Sequence, residues 1–323
     1  MNKQTENQAQ QNSWDTYWQG SADATALTAG GANHPAIHGF WDNFFRQLKQ
    51  TEQTPKILDI ASGNGAVLER ALAAYTNQLE LTSLDISPAA ISNIKRRFPA
   101  VIGLVADAAK IPLEGAAFDV VTSQFGLEYA GKDAIYEAAR LVKNGGQLVL
   151  LLHTEKGSIH EECRQSLDAI ERVQASNFIA AARAMFDAGF KAVRGADRSP
   201  YDKAAEKLTP SLTVLEGIMQ EYGQQVAADT IFRLYNDVAN IHQRIQHYEP
   251  GEVLNWLTTM DSELEAYAGR MKSMLQSALN TDSFKLACDG LTDRGFSISQ
   301  AEALNIQAQE FPMAWQLIAT KQH

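Results

Sequence analysis

Short apolar runs and amphipathic stretches alternate along the chain from Lys56 to His153. Lys56–Ile60 is an apolar run that ends in a Gly-rich turn and predicts a strand, and Ala66–Tyr75 predicts the helix after it. Leu79–Ile86 and Ile102–Asp107 predict a second and a third strand. The helix between them starts at Pro88, because the first N–H of a helix has no intrahelical partner to lose, and runs to about Phe98. Phe118–Gln124 predicts a fourth strand, Lys132–Val142 a helix closed by Asn144-Gly145-Gly146, and Gln147–His153 a fifth strand with four leucines. Strands that are apolar on both faces belong in a parallel sheet covered by helices on each side. Regular alternation of the two elements predicts a doubly wound α/β fold.

The pattern changes at about Glu155 and is helical to about Leu279. Ile231, Leu234, Val238, Ile241, Ile245 and Tyr248 recur at spacings of three and four, as do Met260, Leu264, Tyr267, Met271 and Met274. Such narrow stripes suit packing within a small bundle or a dimer seam. Each is shorter than three heptads, which favours the bundle and keeps a homodimer through this block as the alternative. Asp197–Lys203 is polar, contains a proline and predicts a hinge loop. Beyond the block, Ser283–Arg294 predicts a helix, and Phe296–Leu304 and Met313–Thr320 an antiparallel hairpin that rejoins the sheet. The expected fold is therefore α/β, a doubly wound Rossmann-like and mostly parallel sheet with a C-terminal antiparallel hairpin and a large helical insertion after strand five. The expected division is an N-terminal helical lid over 1–54, a core over 55–154 and 281–323, and a helical cap or insertion over 155–280.

Composition narrows the partners. The chain of 323 residues has a formal net charge of −10, which repels phosphate and argues against polymeric nucleic acid. Its two cysteines, Cys163 and Cys288, form no metal-ligand spacing and predict a reduced, cytoplasmic setting. No stretch approaches the roughly 18 apolar residues of a membrane span. Met1–Asn12 is rich in Gln and Asn, lacks an apolar signal core and predicts a frayed tail. His34 and His38 have helical ligand spacing, but Pro35 lies between them and no third ligand is placed, so no metal is expected.

The chemistry gathers at the strand ends. Gly63 and Gly65 let backbone approach a ligand where a Cβ would clash, and the following helix turns its N–H groups toward it. A dinucleotide fingerprint needs a third glycine where Leu68 stands, which argues against NAD and FAD. Asp85, with Ile86 beside it, closes the second strand and can accept from both ribose hydroxyls. Asp107 and Ala108 close the third, where a carboxylate can accept from an exocyclic adenine amine. The plainer reading of either aspartate is a strand-end or loop cap.

Together these residues resemble the class I S-adenosylmethionine-dependent methyltransferases, in particular the small-molecule group that includes the quinone-biosynthesis enzymes. The likeness covers about Trp14–His153 well and the last thirty residues loosely. It implies S-adenosylmethionine as cofactor and S-adenosylhomocysteine as product. It further implies that Asp59 lies near the methionine part, that Ala61 replaces the first glycine of the family pattern, and that Ser123-Gln124-Phe125-Gly126 is the strand-four end, with Gln124 at the cofactor. Trp14-Asp15-Thr16-Tyr17-Trp18 is similar to the aromatic helix that folds over the cofactor, with Tyr17 in contact.

Methyl transfer from a sulfonium is an in-line displacement in which the protein supplies alignment and excludes water. A base is required only where the nucleophile must lose a proton. Glu128, Tyr129 and His153 are the candidates at the carboxyl ends of strands four and five. No Asn/Asp-Pro-Pro-Tyr/Phe motif follows strand four, which argues against bases and amide nitrogens as acceptors. Lys95-Arg96-Arg97 reads as a solvated face. The expected substrate is a small, partly apolar metabolite. RNA or protein methylation and a cofactor-binding protein without turnover are the alternatives.

Overall fold

The first five strands, β1 (Lys56–Ile60), β2 (Glu80–Asp85), β3 (Ile102–Val105), β4 (Phe118–Gln124) and β5 (Val142–Leu152), pair in parallel. The hairpin of β6 (Phe296–Leu304) and β7 (Ala314–Lys321) closes the sheet, β7 running antiparallel to β5. The computed structural model describes residues 14–15, 17–19, 34–48, 53–75, 78–131, 133–306 and 311–323. The tail Met1–Asn12 lies outside the described residues.

Strand order is β3-β2-β1-β4-β5-β7-β6. The order reverses between β1 and β4, and in an open α/β sheet such a switch point opens a crevice at the carboxyl ends of the strands. Helices α1 (Pro35–Gln47), α2 (Ala66–Ala74), α3 (Pro88–Arg97) and α4 (Ala134–Leu141) alternate with the strands, and α10 (Thr281–Thr292) precedes the hairpin. Leu58, Ile60, Val121, Leu148 and Leu150 are buried to the last atom and pack with Phe284 and Leu291 of α10. Burying side chains of this size contributes about 1.5–3 kcal/mol each, and that burial fixes the strand ends that carry polar groups.

Two local expectations are corrected. Asn144-Gly145-Gly146 does not cap a helix: α4 stops at Leu141, and Val142–Leu152 is one strand. The register shifts between the pairs at Phe118 and Val120, so the glycines form a bulge. A Cβ on Gly146 would stand 2.8 Å from the Asp119 carbonyl oxygen, and close backbone approach is what requires glycine there. Asp197–Lys203 is not a continuous loop, because α7 (Ser199–Tyr222) begins inside it with its proline in the first turn.

The chain forms two compact units, one of residues 1–161 and 273–323 and the other Glu162–Lys272. The second contains most of α5 (Ser158–Ala175), then α6 (Phe178–Val193), α7, α8 (Thr230–Gln243) and most of α9 (Pro250–Ser277). It has its own core, built on Phe178, Phe186, Leu215, Ile218 and Leu257. Ile231, Leu234, Val238, Ile241 and Leu264 of the apolar stripes are buried in it, whereas Tyr248 is exposed.

Among the described residues no helix is long and apolar enough to cross a membrane, and no group of His, Cys, Asp and Glu is arranged to hold a metal. His34 instead caps α1, its Nδ1 accepting from the Ala36 N–H at 3.1 Å. Burial raises the thiol of Cys163 far above its ordinary range and that of Cys288 to about 11, so neither is a ready nucleophile.

Candidate active site

β1 delivers Asp59 and then a turn with left-handed backbone at Ala61, Gly63 and Gly65, at φ 55°, 52° and 85°. The turn reverses the chain into α2, whose N-cap is Gly65. A Cβ on Gly63 would meet the Trp18 indole at 2.5 Å, and one on Gly65 the Phe98 ring at 2.9 Å. Glycine is therefore required twice, for backbone conformation and for close approach. The group that approaches Gly63 in the fold is Trp18.

β2 delivers Asp85, which is buried. Its Oδ2 accepts the Gly63 N–H and its Oδ1 the Ser87 N–H, both at 2.9 Å. Burial raises its pKa, the Ser87 and Gly63 amides oppose the rise, and the charge of Asp15 adds to it. Asp15 in turn accepts from the Ser87 hydroxyl at 2.7 Å and the Ala89 N–H at 3.0 Å, at the start of α3. Asn93 donates to the Trp18 carbonyl at 2.9 Å. The helical residues Trp14, Asp15, Tyr17 and Trp18 are thus pinned beside the Gly-rich turn, with Tyr17 edge-on to both tryptophans.

Asp59 is fully buried; its Oδ1 accepts from Thr122 at 2.8 Å, and its Oδ2 has no partner among the described residues. Burial lifts its carboxyl to about 7, against the Thr122 hydrogen bond. Asp107 is half-buried and its Oδ1 accepts the Ala109 N–H at 2.8 Å, a turn cap; Ala108 joins the sheet core. Ile86 is half-buried. Gln124 accepts from the indole N–H of the fully buried Trp41 at 2.6 Å, which ties the end of β4 to α1.

The three candidate bases converge. A 3₁₀ turn, Leu127–Ala130, follows β4 and carries Glu128, and His153 follows β5. Glu128 Oε1 accepts the His153 backbone N–H at 2.8 Å and lies 2.6 Å from His153 Nδ1. The Tyr129 hydroxyl is 3.5 Å from the same Nδ1. Phe125, at φ 54°, holds its ring centroid 4.6 Å from that of His153. A carboxylate at this distance places a proton on Nδ1 and leaves Nε2 with a lone pair, the tautomer following from the hydrogen bonds. Nε2 and Glu128 Oε2 are buried without a partner among the described residues.

Residues 57–146 match the model of a family described as a methyltransferase domain. The chain carries a class I S-adenosylmethionine-dependent methyltransferase domain. The ubiquinone/menaquinone biosynthesis C-methyltransferase of Campylobacter jejuni is 34% identical over 117 residues, 34% of this chain and 50% of that protein. The enzyme of the same name from Stutzerimonas stutzeri is 33% identical over 123 residues, 36% of this chain and 48% of that one. The chain thus spans about half the length of the curated relatives it matches. A solved structure classed as a candidate S-adenosyl-L-methionine-dependent methyltransferase, from Methanococcus maripaludis, aligns with 96% of this chain and 92% of its own at 11% identity and a TM-score of 0.43.

Within the methyltransferase domain, several contacts were not visible as sequence motifs. Lys95 and Arg96 are exposed, as expected of a solvated face, and the half-buried Arg97 beside them also pairs with Glu69 at 2.9 Å and donates to the Asn64 carbonyl, bracing the Gly-rich turn from α3. Asp15, Thr122 and Phe125 carry no spacing signal, because their partners are distant in sequence. Ala61 has a partner too. A Cβ on Gly126 would fall inside the Ala61 methyl, so the missing side chain at 126 makes room for the extra one at 61. Gly126→Ala should lower stability by about 1–3 kcal/mol through overpacking. Ala61→Gly should raise it by about 1 kcal/mol by relieving left-handed strain. The double variant should recover most of the Gly126→Ala loss. Urea unfolding of the three variants measures the coupling; additive effects would dismiss the pairing.

Proposed function

We propose that this chain transfers the methyl group of S-adenosylmethionine to a small, partly apolar metabolite. The observation that carries the reading is the buried Asp85 carboxylate bound to the Gly63 amide at the switch point of the sheet. The Ser87, Gly63 and Ile86 amides all hold the Asp85 carboxyl, and of the four lone-pair sites of a carboxylate these leave room for a ribose hydroxyl. The orphaned Oδ2 of Asp59 suits the positively charged methionine end. Asp107 and Ala108 sit at the end of β3, where they would meet adenine, and Ala61, Gly63, Gly65, Ile86, Gln124 and Tyr17 would border the same crevice. Once bound, the cofactor supplies a methyl group on a cationic sulfur, already activated for displacement. The names of the Campylobacter and Stutzerimonas relatives, C-methyltransferases of quinone biosynthesis, support an apolar acceptor. The net charge of −10 weighs against RNA.

Calorimetric titration of the whole chain with S-adenosylmethionine and S-adenosylhomocysteine tests the cofactor assignment, and labelled cofactor with a metabolite extract tests turnover. Saturable binding of both nucleosides and a labelled small product are expected. Absence of heat from either nucleoside would refute the proposal.

A further inference from the structure

We infer that Glu128 and His153 form a general-base dyad, with His153 Nε2 removing a proton from the acceptor, and that the acceptor therefore presents a hydroxyl or enol rather than a tertiary amine or thioether. This rests on the methyl-transfer reading above and adds to it the identity of the base and the class of the nucleophile.

The geometry is that of an oriented imidazole. Glu128 Oε1 holds His153 twice, through the backbone N–H at 2.8 Å and through Nδ1 at 2.6 Å. Two bonds to one oxygen fix both the ring plane and the tautomer, which is how a carboxylate prepares histidine as a base. The lone pair that results is on Nε2, which has no partner among the described residues although the side chain is only 3% exposed. An unmade hydrogen bond on a buried polar atom costs about 1–3 kcal/mol. A histidine retained only for packing would have its second nitrogen satisfied, as buried polar groups usually are. Glu128 Oε2 is orphaned in the same way. The pair thus offers one acceptor site and one spare carboxylate oxygen in an apolar setting, with the Phe125 and Tyr129 rings at 4.6 and 5.7 Å from the imidazole.

The dyad belongs to the site through contacts on the page. The Tyr129 ring lies 5.6 Å from Trp14, Trp14 stacks on Trp18 at 6.5 Å, and the Trp18 ring covers Gly63. Among the described residues the titratable groups in contact with the imidazole are Glu128 and Tyr129, and Glu128 is the acidic one. In the proton step the acceptor O–H bond breaks, its electron pair stays on oxygen, and the proton goes to Nε2. The imidazolium formed is stabilised by the Glu128 carboxylate and later returns its proton to water. Tertiary amines and thioethers have no such proton, and a base placed here would do nothing for them.

The test uses the whole chain with histidine labelled in its ring nitrogens. Nitrogen spectra at pH 8 should show His153 as the Nδ1–H tautomer with a bare Nε2, and Glu128→Gln should abolish that preference. An Nε2–H tautomer in the unaltered protein would overturn the dyad, whether or not an acceptor has been found. Turnover is read with labelled S-adenosylmethionine on catechol and on N,N-dimethylphenethylamine. Label is expected in catechol, with His153→Ala lowering kcat by about 100-fold or more and added imidazole restoring part of it. In Glu128→Gln, kcat should fall while the acid limb of its pH profile moves, which a purely structural role would not produce. Cofactor affinity by calorimetry should be unchanged in both variants. Equal turnover of the amine, or undiminished catechol turnover in His153→Ala, would defeat the inference. Failure of the unaltered protein to bind the cofactor at all would instead defeat the methyl-transfer reading.

Discussion

Asp85→Ala is expected to weaken S-adenosylmethionine binding by at least about tenfold and to lower stability at the same time. The first effect follows from losing acceptors for the ribose diol, each hydrogen bond to a charged acceptor being worth about 1.5–3 kcal/mol. The second comes from the fold. The Gly63 and Ser87 N–H groups both end on this carboxylate at 2.9 Å, and the substitution leaves two donors without it. The combined cost should be about 2–4 kcal/mol, each orphaned donor losing about 1–2 kcal/mol. Asp85→Asn should not rescue, because one of the two backbone donors would then face an amide NH₂. Calorimetric titration and urea unfolding of both variants measure the two effects separately. Unchanged cofactor affinity in Asp85→Ala would remove the ribose contact from the proposal; unchanged stability would remove the anchoring of the turn.

Asp59→Asn is expected to stabilise the protein at pH 8 while impairing cofactor binding. The carboxyl is raised by burial from an ordinary 3.8 to about 7, so the folded state keeps a proton that the unfolded state gives up. The contribution of Asp59 to stability therefore falls as pH rises from about 4 to about 7 and is level above that. Asp85, also raised, adds a fall of the same sign. The asparagine variant has no charge to bury and its Oδ1 can still accept from Thr122, so it should gain on the order of 3 kcal/mol over the parent at pH 8. Binding of a cationic cofactor favours the ionised carboxylate. Affinity in the parent should rise with pH below 7, by up to about tenfold between pH 5.5 and 6.5, one proton being released. The variant should show a flat profile over that interval. Unfolding midpoints at pH 4, 6 and 8, with titrations at pH 5.5 and 6.5, decide the matter. A parent that loses no stability relative to Asp59→Asn from pH 4 to 7 would contradict the buried, protonated Asp59.

These effects concern a carboxylate pair that sequence and structure describe differently. Asp85 was legible as a strand-end acid because the strand itself was legible: six residues, Glu80–Asp85, in a run expected over Leu79–Ile86. Its anchoring of Gly63 was not, since that bond joins two strand ends whose proximity depends on β1–β2 pairing. Asp59 was recognised only through a family likeness. Its orphaned oxygen and raised carboxyl come from burial against Thr122 of β4, a neighbour supplied by the sheet order. The bulge at Asn144-Gly145-Gly146 was misread as a helix end because Gly after a helix is the commoner signal; the approach of Asp119 to Gly146 is what made it a strand. The contacts of Arg97 were not legible because its partners Asn64 and Glu69 lie outside its own element.

Hydrophobic period, turn glycines and strand-end acids are local properties, and they were sufficient to determine the alternating core and Gly-rich turn of the methyltransferase domain and, beyond it, a helical block. Pairings between residues far apart in sequence depend on burial and on sheet order, which no local pattern contains. The tertiary structure alone therefore decided that Trp18 lies on Gly63, that Ala61 needs Gly126, and that Glu128 holds His153 with one nitrogen unpartnered among the described residues.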